Sequence, residues 1–526
     1  MEIGELHLSG AGLDRRPRAG VEWEAERRKG RWDPVETVID YLDASAEAFC
    51  ESVAVADGTQ ELTFSVLRRM AWGLGNHLLS QGIRGKAVGL YAQRKAEVIA
   101  AMLGCAVSGN FYVPLNPDAP DEKIRHILRH AGVSRILGFA DGEYDGADEG
   151  CSYERLDVAF PVSDERPDIH VTGQDTLYLI YTSGSTGEPK GIRKSHGSVV
   201  DFVEAYVREL GFGPEEILGN QTPFCFDASA KDIYLMLRTG SRLEIIPSEK
   251  FVFPVTLIEY LNEKQVTFIS WVPSALAVVA RLRTFRDILP TTLRRVAFVG
   301  EVFPIKDLQV WRDALPDIEY INLYGSSELA GVAALYPIPK DAPLPAALPI
   351  GKPLGNSRIL LMEDGKLVPD RGEMLVASKA LADEYLGDPE RTAKTFETID
   401  LDGVPTRVLH TGDWARYDED GNLVFLARSD AQIKYKGYRI ELGEIEAAVN
   451  ALPFIDRACV LYNAGRERIT AFVTSREIPD LKLRDLNAAL GDRLVDYMLP
   501  RKLVLLDDMP LNANGKIDRP LLKTML

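Results

Sequence analysis

"TLYLIYTSGSTGEPKG", residues 176–191, begins as an apolar, aromatic and β-branched run and ends as a glycine- and hydroxyl-rich turn closed by a lysine. A short buried strand that empties into polar residues is what a mainly parallel sheet produces where its loops leave the strand ends. The same shape returns in "VTFISWVPS" (266–274), "RRVAFVGE" (294–301) and "IEYINLYG" (318–325). Upstream, helical apolar spacing in "PVETVIDYLDASAEAF" (34–49) and "AEVIAAMLGCAVSG" (96–109) brackets the strand "AVGLYA" (87–92). This alternation gives an α/β fold class, with ligands expected at the strand ends.

The texture changes after about residue 380. "RVLHTGDWARYDEDGNLVFLAR" (407–428) reads as two antiparallel strands around an acidic, glycine-containing turn at 418–421. Composition breaks again at "RSDAQIKYKGYRIELGEIEAAV" (428–449). The rest predicts a small α+β unit: a helix from Leu442, strands "RACVLYN" (457–463) and "RITAFVT" (468–474), a helix at "LRDLNAALGDRL" (483–494) and a last strand "KLVLLDD" (502–508). The expected organisation is a charged extension at 1–34, a large body at 35–429 of layered α/β subdomains plus a β-rich subdomain, and a C-terminal lid at 430–526.

A chain of 526 residues is too long for a single core. Its net charge of −17 argues against a nucleic-acid or anionic-membrane surface as its main business. No run of about 18 apolar residues and no signal-peptide core is present, so the cytoplasm is the expected location. Cys50, Cys105, Cys151, Cys225 and Cys459 are scattered and never form CxxC, which suggests neither a disulfide framework nor a zinc site. The charged stretch 13–34 reads as a solvated lead-in.

The loop after Thr182 has the composition of a phosphate holder but not Walker spacing. Gly184 and Gly187 are too close together, Pro189 precedes Lys190, and Gly191 stands where the magnesium-binding hydroxyl would be required. The helix expected at 195–210, with Ser195 as N-cap, begins several residues after the lysine, so the glycines do not open into its dipole. What remains is a turn whose hydroxyls and backbone N–H groups wrap phosphates, with Lys190 as a mobile counter-charge.

Six motifs in order carry a resemblance that spans residues 35–519: "YTSGSTGEPKG" (181–191), "FCFDASAKDIY" (224–234), "NLYGSSELA" (322–330), "LHTGDWARY" (409–417), "ARSDAQIKYKGYRIELGEIE" (427–446) and "PLNANGKIDR" (510–519). The set resembles the adenylate-forming superfamily of acyl-CoA synthetases, luciferases and nonribosomal peptide synthetase adenylation domains. The resemblance implies ATP held by Thr182, Ser183, Gly184, Ser185, Thr186, Gly187 and Lys190 at the outer phosphates. It implies Tyr324 stacked on adenine, Asn322 at the exocyclic amine, and Ser327 near the α-phosphate beside Gly325 and Ser326. Asp413 would take the ribose hydroxyls, with Phe425 and Arg428 in support, and Glu328 would ligate Mg2+. Ala427 stands where the family has glycine before the arginine.

Lys516 is implied to enter from the lid and stabilise charge as a carboxylate attacks the α-phosphate and pyrophosphate leaves. The resemblance makes Asp430 a hinge, about which the lid swings to bring Lys434 and the Lys436–Gly437 loop to the adenylate. Lys436 replaces the more usual arginine, and Gly437 would let a pantetheine arm pass closely.

Phe226–Asp227 matches members that activate amino acids, where the aspartate pairs with the α-ammonium. The implied side-chain pocket is Ala228, Lys231, Ser270, Ala297, Val299, Leu323, Gly331 and Val332. Lys231 lies four residues after Asp227 and either pairs with it or faces an acidic substrate side chain. "FVGEVFP" (298–304) and the stand-alone architecture resemble D-alanine–carrier protein ligases, which take a small residue. The expected activity is that of an AMP-forming ligase of antibiotic or other natural-product biosynthesis: amino acid to aminoacyl-AMP, then transfer to the phosphopantetheine of a holo acyl or peptidyl carrier protein. That carrier is expected in trans because no carrier domain follows Arg519. An acyl-CoA synthetase is the alternative that Asp227 disfavours. A silent nucleotide-binding scaffold is disfavoured by the intact Lys516, Glu328 and Asp413.

Overall fold

The structure, a computed structural model, describes residues 35–526 apart from 140–143, 145–149, 157–158, 183–188, 346, 429–431, 476 and 511–516, with 427 and 428 described as backbone only. The extension 1–34, the loop residues Ser183, Gly184, Ser185, Thr186 and Gly187, the hinge position Asp430, Lys516 and the side chain of Arg428 therefore lie outside the described residues.

Two sheets with parallel centres form the body. The nine-stranded one runs Lys352–Pro353, Ala334–Pro337, Glu319–Tyr324, Arg295–Val299, Phe268–Trp271, Ile217–Asn220, Arg242–Ile245, Val53–Ala56, Glu61–Thr63. The seven-stranded one runs Glu384–Tyr385, Lys190–Ser195, Thr176–Thr182, Phe111–Leu115, Ala87–Tyr91, Arg135–Gly138, Ser152–Arg155. Antiparallel pairings occur only near their ends, and the outermost strands are two to four residues long.

Helices Val38–Ala48, Phe64–Ser80, Ala96–Val107, His196–Leu210 and Ala228–Thr239 share one core with residues of both sheets. Ala96–Val107 is apolar all round, and every residue except Glu97 is buried, as expected for a helix packed on all sides. It crosses Phe64–Ser80 at two glycines. A Cβ on Gly104 would stand 2.8 Å from Leu74, and one on Gly75 2.7 Å from Val107. The small residues set how closely the two backbones approach.

The β-rich subdomain is an antiparallel sheet in which Val404–Tyr417 pairs with Arg371–Ala377, Phe396–Leu401 and Leu423–Arg428. The turn expected at 418–421 joins the last pair. The C-terminal unit starts with the hairpin Gln432–Tyr435/Tyr438–Glu441, followed by helix Leu442–Asn450. Strands Arg457–Asn463, Arg468–Thr474 and Lys502–Leu505 and helix Leu483–Leu490 complete it around Ile445, Val460, Ala471 and Leu486. No helix among the described residues is long and apolar enough to cross a membrane.

Candidate active site

The carboxyl ends of Thr176–Thr182, Phe268–Trp271, Arg295–Val299 and Glu319–Tyr324 converge beside the start of helix Ala228–Thr239, and the hairpin of the C-terminal unit reaches into the same space. Antiparallel register sets Tyr178 opposite Lys194. Both side chains end on Asp227: the Tyr178 hydroxyl donates to Oδ1 at 2.8 Å, and Lys194 Nζ lies 3.5 Å from the same oxygen while donating to the Leu329 carbonyl. Burial pushes the Asp227 carboxyl up and the Lys194 ammonium down, and each group opposes the shift of the other.

Asp227 lines a cavity of about 180 Å³ together with Phe226, Ala228, Lys231, Val272, Val299, Gly331 and Val332. Gly325, Ser326, Ser327, Thr182, Lys434 and Gly437 border it on the side of the strand ends. Several pocket expectations change here. Lys231 is bound to Asp232 rather than to Asp227, which Tyr178 and Lys194 already occupy; Asn220 donates to the other Asp232 oxygen at 3.0 Å. Ser270 and Ala297 are register partners in the middle of the large sheet, buried and off the cavity wall. Leu323 lines a neighbouring cavity instead.

That second cavity, about 780 Å³, is lined by Asn322, Tyr324, Asp413, Phe425 and Lys434 among others. The Tyr324 hydroxyl donates to Asp413, and Asn322 Nδ2 donates to the Pro349 carbonyl at 2.7 Å. Lys434 stands 5.8 Å over the Tyr324 ring. Asp413 and Arg428 are register partners on adjacent strands, which brings the two motif positions side by side.

Hairpin register puts Gln432 opposite Glu441 and Lys434 opposite Arg439, so these four share one face. That face meets Glu328. Arg439 Nη1 donates to Glu328 Oε2 at 2.5 Å and the Tyr385 hydroxyl donates to Oε1. Burial opposes the charged form of Glu328, yet Arg439, Lys190 and Tyr385 together hold it well below the usual carboxylate range. Lys190 has protein partners in this arrangement. As the first residue of its strand it lies 3.3 Å from Glu441 and 5.4 Å over the Tyr385 ring, and burial lowers its pKa. At the hairpin tip, Gly437 has φ +83°, its N–H donates to Glu301 at 2.6 Å, and a Cβ there would stand 2.8 Å from Val272. Glu301 also accepts from the Ser274 N–H at 3.0 Å.

Lys194, Asp232, Glu301, Tyr385 and Arg439 are the site residues that motif reading passed over. Only Arg439 had a signal: strand alternation puts it on the face of Lys434. Among the described residues no group of three or more His, Cys, Asp or Glu is arranged to hold a metal. Glu328 alone suits a magnesium ion that takes its remaining ligands from phosphate and water, provided Arg439 withdraws.

Comparison with known proteins now decides the family. Residues 42–386 match the AMP-binding enzyme family, and residues 444–516 match the AMP-binding enzyme C-terminal domain. The chain belongs to the AMP-binding enzyme family. This AMP-binding enzyme is 32% identical over 519 residues to a linear gramicidin synthase of Brevibacillus parabrevis, covering 94% of the chain but 10% of that relative. It therefore spans about a tenth of that protein's length. It is 31% identical over 444 residues to a D-alanine–D-alanyl carrier protein ligase of Bacillus anthracis, covering 82% of the chain and 87% of the ligase. Its fold matches a holo NRPS protein containing adenylation and PCP domains, bound to a vinylsulfonamide inhibitor, with a TM-score of 0.82 at 24% identity over 93% of this chain and 84% of that one.

Proposed function

We propose that this AMP-binding enzyme uses ATP to convert an amino acid to its aminoacyl adenylate, releasing pyrophosphate, and then passes the aminoacyl group to the phosphopantetheine thiol of a carrier protein. The observation that carries this reading is Asp227, a buried carboxylate on the wall of the smaller cavity, braced by Tyr178 and Lys194. Both protein partners of Asp227 meet Oδ1, which leaves Oδ2 to accept from a ligand, and an α-ammonium supplies donors for it. The name of the D-alanine–D-alanyl carrier protein ligase relative agrees with an amino acid as substrate and a carrier as acceptor.

In the first step the substrate carboxylate oxygen bonds to the α-phosphorus and the bond to the pyrophosphate oxygen breaks. Tyr324, Asn322, Asp413, Phe425 and Arg428 seat the nucleoside. Ser327, Thr182, Lys190 and the loop Ser183, Gly184, Ser185, Thr186 and Gly187 hold phosphates, and Lys516 offsets charge at the α-phosphate. Magnesium at Glu328 would neutralise phosphate charge when bound. In the second step the thiol attacks the acyl carbonyl and AMP leaves. The docked hairpin, with Lys434 and Gly437 at the cavity, suits this second step, and turning about Asp430 would exchange it for Lys516.

Amino-acid-dependent ATP–pyrophosphate exchange tests the reading. Exchange with at least one amino acid, and loading of holo-carrier protein in preference to coenzyme A, are expected. Absence of exchange across a full amino-acid panel would falsify the proposal, and faster transfer to coenzyme A would point to an acyl-CoA synthetase.

A further inference from the structure

The Lys231 side chain is 2% exposed, and its one protein partner among the described residues is Asp232. An ammonium carries three donors, so two N–H groups of a buried cation on the cavity wall have no acceptor among those residues. The charge, by contrast, is matched. Asp232, itself buried, takes Lys231 on one oxygen and Asn220 on the other, so the cluster is neutral overall. Ala228, Val272, Val299 and Val332 contribute hydrocarbon to the wall of the same cavity.

Resting on the amino-acid reading above, we infer that the substrate side chain has a hydrocarbon stem ending in a neutral hydrogen-bond acceptor, an amide or hydroxyl, received by Lys231. Three side-chain chemistries compete for this site. An apolar end leaves both buried N–H groups unpaired. A carboxylate adds a second anion to a cation already matched by Asp232, and so buries net negative charge. An amide or hydroxyl oxygen accepts the donors and adds no charge. The acidic substrate suggested by a lysine in the pocket would need that lysine unmatched, and Asp232 matches it.

The test is pyrophosphate exchange with matched sets: glutamine, glutamate and methionine; asparagine, aspartate and leucine; threonine and valine. In the set that gives the fastest exchange, the neutral acceptor should lead by about 10-fold or more in kcat/KM, the loss that goes with an unmade charge-assisted hydrogen bond. The double variant Lys231→Met with Asp232→Asn keeps the cluster neutral and should erase that lead while admitting the apolar member. A lead by an acidic or apolar member in the unsubstituted enzyme overturns the inference, whether or not the double variant folds. So does a lead that survives the double variant. Either result leaves amino-acid activation standing, whereas silence with every amino acid removes the underlying function.

Discussion

Asp227 depends on residues that lie far from it in sequence. Lys194 is the cation that offsets its burial, so Lys194→Ala leaves a carboxylate in an apolar place with only the Tyr178 hydroxyl. Its carboxyl pKa, already raised, rises further and the acid form gains ground at neutral pH. Exchange activity in Lys194→Ala is expected to fall by about 100-fold and to recover partly as pH is raised, because deprotonation restores the anion. A pH-independent loss would mean that Lys194 acts otherwise. His196 shows the opposite linkage. Burial pushes it down to about 4, and neither ring nitrogen has a protein partner among the described residues. The unfolded chain takes up a proton near pH 6.5 that the folded one refuses, so stability is lost as pH falls from about 6.5 to 4, by up to about 3 kcal/mol. His196→Gln should flatten that part of the stability-versus-pH curve in denaturant titrations; an unchanged curve would place the acid sensitivity elsewhere.

At the scale of elements, the contact between Phe64–Ser80 and Ala96–Val107 is set by glycines rather than by large side chains. Gly104→Ala adds helix propensity of about 1 kcal/mol but drives a Cβ into Leu74, an overpacking cost of about 1–3 kcal/mol. A net drop in melting temperature of a few degrees is expected, and a rise would show that the helices separate freely. Many of the elements were legible in the sequence, though helix Phe64–Ser80 and strands such as Phe111–Leu115 and Arg242–Ile245 were not among them. Short β-branched runs ending in small residues became the parallel strands, and the run 96–109, apolar with a terminal glycine, became a helix buried at every residue but Glu97. What could not be read was pairing across distance. Lys231 and Asp227 sit at helical spacing, yet the lysine turns to its neighbour Asp232 because Tyr178 and Lys194 hold Asp227 first. Nothing local marks Glu301 as the residue that would grip a glycine 136 positions on. The motif residues Asn322, Tyr324, Asp413 and Phe425 do meet on one cavity, whereas Ser270 and Ala297 fall off the smaller one because strand order alone does not say how deep a position lies.

On the scale of the whole molecule, the C-terminal unit is joined to the body by polar contacts that meet at one place. Arg439 holds Glu328, Lys190 holds Glu441, Lys123 lies 3.2 Å from Glu444, and Glu301 holds the hairpin tip. The ring of Tyr438 lies 5.3 Å from that of Phe226. On the proposed function, magnesium at Glu328 would compete with the Arg439 guanidinium for the carboxylate, so Mg·ATP would weaken the docked hairpin. Backbone amide exchange across 432–441 is therefore expected to speed up on adding Mg·ATP; equal protection with and without it would show that the two do not compete. The large sheets have a further consequence. Each could in principle be extended by another chain laying a strand along its rim, yet the rims are strands such as Lys352–Pro353 and Glu384–Tyr385, two residues long, the first carrying a proline. So short a rim offers an incoming strand almost no ladder to continue, and sixteen strands of β-structure are kept from polymerising by the few residues that terminate them.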